Sequence, residues 1–314
     1  MADVRTGIDG LAHLWTTLAV LLRMVWGMVE ATFRPRGPFS LRESAVHAGD
    51  ATRRFDGRIL VGLFQVEDGV ARAAAWQQSD GRVELRSTSE EALEQLRFVL
   101  PLDADHSEFL RQFADDPLLG RTIRVLRGKR QLRVGTVTQA LIRAVCGQLI
   151  PSREARRVER ALIRSTCESD GVFYVPPTPA CFAGAAPTQL QRFDLTMRKA
   201  STIVRTCRTI DLERLREVSP AGVAQRLERE RGLGPWSVGV IGLQGLGCYE
   251  LGLVGDLGLI KLCTALLGRP AEPEDTEELL EPYGEWQGLA SVYLLAGGAR
   301  GLLPVRYDPD LIAA

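Results

Sequence analysis

The 314-residue chain is short of several things at once, and each shortage excludes something. It carries no net charge, with 39 basic and 39 acidic side chains, so attraction to a polyanion has to come from where the charges lie rather than from their sum. Its six cysteines (Cys146, Cys167, Cys181, Cys207, Cys248, Cys263) form no C-x-x-C pair and no zinc-ligand spacing. Its three histidines (His13, His47, His106) are far apart. This is the usage of a cytoplasmic protein with reduced, mostly buried thiols and no metal site. Long apolar runs are missing too. In residues 1–30, Leu11, Leu14, Trp15, Leu18, Leu22 and Val25 recur at helical spacing, but the unbroken stretch is too short for a bilayer and Arg23 interrupts it. Asp3, Asp9 and the lack of a small-residue cleavage site argue against a signal peptide. That segment is expected to be an amphipathic helix or an extension, with Met28 as an alternative start, and no membrane partner is expected. There is no repeat or low-complexity tract, and the length supports two or three domains.

What is present changes character along the chain. Ile59 to Phe64, Val70 to Trp76 and Val83 to Thr88 read as strands, separated by Asp68-Gly69 and Asp80-Gly81, both strong hairpin signals. Glu90 to Val99 reads as a helix behind them. The expected architecture is α+β: a small antiparallel sheet domain over 31–104, then an all-α region over 105–314. In the helical part, Arg121 to Arg133 is a dense basic run and Val137 to Gly147 an apolar helix. Ser152 can start a further helix, on which Arg153, Arg156, Arg157, Arg160 and Arg164 fall mostly three or four apart. Such a stripe is ordinarily a solvated face, here partly paired with Glu154 and Glu159; the other use is phosphate contact, with Arg153 and Arg157 as candidates.

The chain is organised around residues 232–261. Val223 to Arg231 reads as a polar helix, which Gly232-Leu233-Gly234 breaks, and Pro235 fits the first position of the next helix. Two helices joined by a glycine turn leave the N–H groups at the start of the second one free, an anion site that suits a DNA phosphate through Gly232, Gly234 and Ser237. Twenty residues after Trp236, Asp256 opens a helix over Leu257–Leu267. Singly, these are a C-cap and an N-cap. Together, in this order and spacing, they resemble the helix-hairpin-helix/Gly-Pro-Asp superfamily of DNA glycosylases, most closely the 3-methyladenine DNA glycosylase II group.

The resemblance covers roughly residues 33–295 and implies a TATA-binding-protein-like sheet ahead of a two-lobed helical core. It implies a monomer acting on damaged double-stranded DNA, with Asp256 as the catalytic carboxylate. The stretch from Ala140 to Leu149 looks like the segment that enters the duplex where a nucleotide has left, which makes Gln148 and Leu149 wedge candidates. Lyase-active relatives carry a lysine where Trp236 stands, so a monofunctional enzyme is implied. The iron–sulfur loop of some relatives is absent, since only Cys263 follows Asp256. A monovalent cation held by carbonyls near Gly232 to Gly234 is a further expectation, although Glu230-Arg231 replaces the frequent Leu-Pro lead-in. Gln287 stands where the motif after Trp286 often has Arg.

The chemistry points to a substrate class. Departure of a base leaves positive charge on the deoxyribose, which a carboxylate stabilises. Ordinary glycoside hydrolysis needs a second carboxyl group as acid. An N3- or N7-alkylated purine is already cationic and leaves without one, consistent with no evident second acid here. A cationic flipped base favours aromatic walls, for which Trp236, Trp286, Tyr249 and Tyr293 are the candidates. A glycosylase for a deaminated or oxidised base, or a non-catalytic DNA-binding protein that kept the hairpin, are the alternatives.

Overall fold

The Asp-Gly turns do what their composition predicts. In the computed structural model, which describes residues 28–305, they join β3 (Ile59–Val66), β4 (Gly69–Gln77) and β5 (Val83–Ser87) into an antiparallel meander. Two strands were not expected. β1 (Val29–Phe33) pairs with β5, and the three-residue β2 (Arg53–Phe55) pairs with β3, completing a five-stranded sheet of order β1-β5-β4-β3-β2. The sheet therefore starts two residues ahead of the expected boundary at 31, inside the segment assigned to the N-terminal extension. Most of that segment lies outside the described residues. Among the described residues no helix is long and apolar enough to cross a membrane.

One face of the sheet is built by alternation. Ala71, Ala73 and Ala75 of β4 point inward, and the Glu90–Val99 helix lays Ala92, Leu93, Leu96 and Val99 against that face. Ser89 caps the helix, accepting from Ala92 N–H at 3.4 Å. The other face is covered near Leu63 by Phe173 and Val175. The Pro-rich stretch after Phe173 thus begins as cover for this sheet, and Tyr174 N–H donates to Ala51 O at 3.0 Å.

The helical body has a separate core running from Phe109 to Leu303. Basic side chains fasten the two bodies together, which the sequence stripe did not suggest. Arg130 is buried, and its guanidinium donates to the carbonyls of Arg36, Pro38 and Pro101. Lys129 donates to Glu43 O, Arg156 to His47 O and Arg160 to Gly49 O. Between the bodies, Arg143 donates to both Asp50 and Glu159 at 2.8 Å, all three nearly inaccessible. Burial alone would push the Asp50 carboxyl up. Arg53, Arg143 and the Thr52 donors overcome this and hold it far below the usual carboxylate range.

Candidate active site

Asp256 stands at the N-cap of the Leu257–Leu267 helix, whose bounds match the sequence reading. Its Oδ1 accepts from the N–H groups of Gly258 (2.8 Å) and Leu259 (3.4 Å), while Oδ2 accepts from Trp236 Nε1 at 3.0 Å. Capping and availability coexist: one oxygen is spent on the helix, the other is held by an indole, and the side chain stays half-buried. The loop before it is fixed as well, because Gly255 N–H donates to the buried Thr276 hydroxyl at 2.7 Å.

Trp236 reaches Asp256 from the hairpin. The first hairpin helix is Pro220–Glu228 and the second is Pro235–Ile241, with Gly234 as its N-cap. Gly232 has φ +97°, and a Cβ there would lie 2.3 Å from Thr202 Oγ1, so the close turn requires glycine. Among the described residues, the N–H groups of Trp236 and Ser237 have no backbone partner, as expected for the first turn of a helix. The Ser237 side chain, however, is buried and its hydroxyl accepts from Gln148 Nε2 at 2.9 Å. Its N–H, not its hydroxyl, is the group left for an anion. The carbonyls of the turn are also taken: Arg231 O accepts from Arg205 and Thr202, and Gly232 O from Gln148 Nε2 at 2.8 Å. Arg205 thus places a guanidinium on the Arg231 carbonyl, and the Gly232 carbonyl accepts from a neutral amide.

The wedge candidates separate into two roles. Thr136 caps the Val137–Gly147 helix, accepting from Gln139 N–H at 3.0 Å, and after that helix the chain turns sharply at Gln148-Leu149. Leu149 is 91% exposed and has φ +58°, a left-handed backbone that costs a leucine about 1–2 kcal/mol. Gln148, in contrast, turns inward and spends its amide on Gly232 and Ser237. Gln148 is therefore a tie between the wedge turn and the hairpin and is not free to fill a vacated stack. Gly147 lies under the indole: a Cβ there would be 2.8 Å from Trp236 Cη2. The missed member is Lys199, whose Nζ donates to Gln148 O (2.7 Å) and Cys146 O (3.2 Å). A lysine in the first turn of the Met197–Thr209 helix runs against the helix dipole, which was a readable signal that it serves something else.

The aromatic wall candidates divide. Only Trp236 contacts Asp256, and it does so as a hydrogen-bond donor. Tyr293 is a core residue, completely buried, with its hydroxyl between Leu126 O (3.1 Å) and Lys129 O (3.0 Å), which removes it from any cleft. Tyr249 and Trp286 stack on each other with centroids 6.4 Å apart, and His106 meets Tyr249 edge-on at 4.6 Å. None of this cluster's ring contacts or hydrogen bonds reaches Trp236 or Asp256 among the described residues. Tyr249 Oη and Trp286 Nε1 are buried without a protein partner, and burial pushes the Tyr249 hydroxyl up to about 12.

Of the arginines proposed for phosphate, Arg157 pairs with Asp194 at 2.7 Å. Arg153 is exposed, has no ion-pair partner among the described residues and follows Leu149 by four positions. The acidic run over residues 272–281 forms a capped helix, Pro273–Leu280, whose Thr276 supports the Asp256 loop.

No family model matches the chain. In sequence it is similar to a DNA-3-methyladenine glycosylase of Bacillus subtilis, 26% identical over 216 residues, which span 65% of this chain and 71% of that protein. In fold it is similar to a 3-methyladenine DNA glycosylase from Archaeoglobus fulgidus, with a TM-score of 0.69 at 20% identity over 86% of this chain and 97% of that one. It is also similar to the 8-oxoguanine glycosylase/lyase of Clostridium acetobutylicum in complex with double-stranded DNA containing cytosine opposite 8-oxoguanine. There the TM-score is 0.68 at 17% identity, covering 87% of this chain and 98% of that one.

Proposed function

We propose that the chain belongs to the helix-hairpin-helix/Gly-Pro-Asp DNA glycosylase superfamily and is a monofunctional glycosylase releasing cationic alkylated purines from double-stranded DNA. The observation that carries this reading is the Asp256–Trp236 pair: a carboxylate fixed at a helix N-terminus, with the indole of residue 236 as its donor.

The proposed reaction uses this geometry. The hairpin N–H groups and Arg153 take phosphates, Leu149 enters the stack, and the damaged nucleotide swings out toward Asp256. As the C1′–N bond lengthens, the carboxylate faces the nascent sugar cation. At about 4 Å and an effective dielectric near 20 the attraction is roughly 4 kcal/mol, about three powers of ten in rate. A water oriented by the same carboxylate then adds to C1′ and passes its proton to that carboxylate. The leaving base is already positive, so it needs no acid. A nucleophilic lysine would divert the sugar into a Schiff base, and the indole at position 236 offers none.

Mass spectrometry of bases freed from methylated duplex DNA tests the proposal. Release of 3-methyladenine or 7-methylguanine is expected, with Asp256→Asn lowering it by at least about two orders of magnitude while duplex binding is retained. Release of only hypoxanthine, uracil or 8-oxoguanine from defined duplexes would move the substrate class. Release of nothing from any of them would leave a DNA-binding protein.

A further inference from the structure

We propose that Lys199 is a positioning residue that holds Leu149 in its extruded state, so that the wedge stands ready before DNA arrives. This rests on the duplex-opening part of the reading above, although its test does not depend on bond cleavage.

The argument starts from an apparent contradiction at Leu149. An exposed leucine in left-handed backbone has neither burial nor an ordinary conformation in its favour, and left alone the turn would relax and lay the side chain down. The turn is instead gripped on two sides. From one side, the Lys199 ammonium bridges the carbonyls of Cys146 and Gln148, on the last helical turn and immediately before Leu149. A cation there also suits the negative end of the Val137–Gly147 helix. From the other side, the Gln148 amide donates to Gly232 O and Ser237 Oγ of the hairpin. The Gly147 backbone is pressed against Trp236, whose indole holds Asp256. Wedge, phosphate clamp and carboxylate are thus one rigid piece, and Lys199 is the part of it contributed by a different helix. Four charge-assisted or amide hydrogen bonds fix the chain immediately before Leu149, which suffices to keep an unfavourable conformation populated.

The test uses full-length protein and a duplex carrying 2-aminopurine beside an abasic-site analogue, with fluorescence read at saturating protein. Wild type is expected to unstack the probe. Leu149→Ala and Lys199→Met are each expected to cut the fluorescence rise by at least about tenfold, with thermal midpoints close to wild type, and Lys199→Arg to restore most of it. Single-turnover base release should fall in parallel for both variants. If Leu149→Ala abolishes unstacking and a folded Lys199→Met does not, Lys199 does not position the wedge. If Lys199→Met and Lys199→Arg are both unfolded, the lysine is a folding residue and the proposal is overturned. Unstacking that depends on Lys199 in a wild type that frees no base would uphold this inference and sink the glycosylase reading instead.

Discussion

Trp236 donates its indole N–H to the Asp256 carboxylate across 3.0 Å, and the benzo edge of the same ring rests on Gly147. One side chain therefore sets both the orientation of the anion and the closeness of the helix that presents Leu149. Trp236→Phe keeps an aromatic ring at the position and deletes the donor, with some loss of contact at Gly147. A hydrogen bond to a charged group is worth about 1.5–3 kcal/mol, so base release should fall by roughly ten- to a hundredfold. Single-turnover kinetics on methylated duplex would show it, with an unchanged thermal midpoint separating this loss from misfolding.

With an indole at position 236, wild-type protein incubated with damaged duplex and borohydride should give no covalent protein–DNA adduct, and the product strand should keep an intact abasic site until alkali is added. A trapped adduct on a denaturing gel would refute the monofunctional assignment.

Arg143 sits between two buried carboxylates, those of Asp50 and Glu159. Arg143→Met leaves Glu159 without an ion-pair partner among the described residues and leaves Asp50 to Arg53 alone, in a largely buried site. Removing one member of such a buried group typically costs about 3–5 kcal/mol. Urea unfolding should show a loss of that order, and the sheet body, which Asp50 belongs to, should become protease-sensitive before the helical body.

His106 is buried edge-on against Tyr249, and neither ring nitrogen has a protein partner. Burial first, then the nearby Arg130, pushes its pKa from 6.5 down to about 3. The unfolded chain takes up a proton that the folded one refuses. The stabilisation is therefore complete above pH 6.5 and lost as pH falls toward 3, by up to about 1.4 kcal/mol per pH unit. His106→Phe should flatten the fall in thermal midpoint between pH 6.5 and 4, although Asp50 still contributes its own acid loss below the ordinary carboxylate pKa of about 3.9.

Elements with local signals were legible. The Asp-Gly hairpins, the capped helix Glu90–Val99, the apolar helix Val137–Gly147 and the helix opened by Asp256 all stand where their residues put them. The short strand Arg53–Phe55 was not, because three residues are too few for a period of two to show. The basic residues were misjudged for a related reason. Arg130, Arg156 and Arg160 look like a solvated surface until the carbonyls they bind, 29 to 111 positions away, are folded against them.

By itself, then, the order of residues determined the secondary elements, the glycine turn and the carboxylate at a helix start, since each depends on neighbours within a few positions. Only the tertiary structure decided which face of Gln148 is used, that Trp236 serves Asp256, that Tyr293 belongs to the core, and that Lys199 grips the turn before Leu149. Those are contacts between groups 20 to 167 residues apart, and a hydrogen bond across such a gap leaves no periodicity in the chain to read.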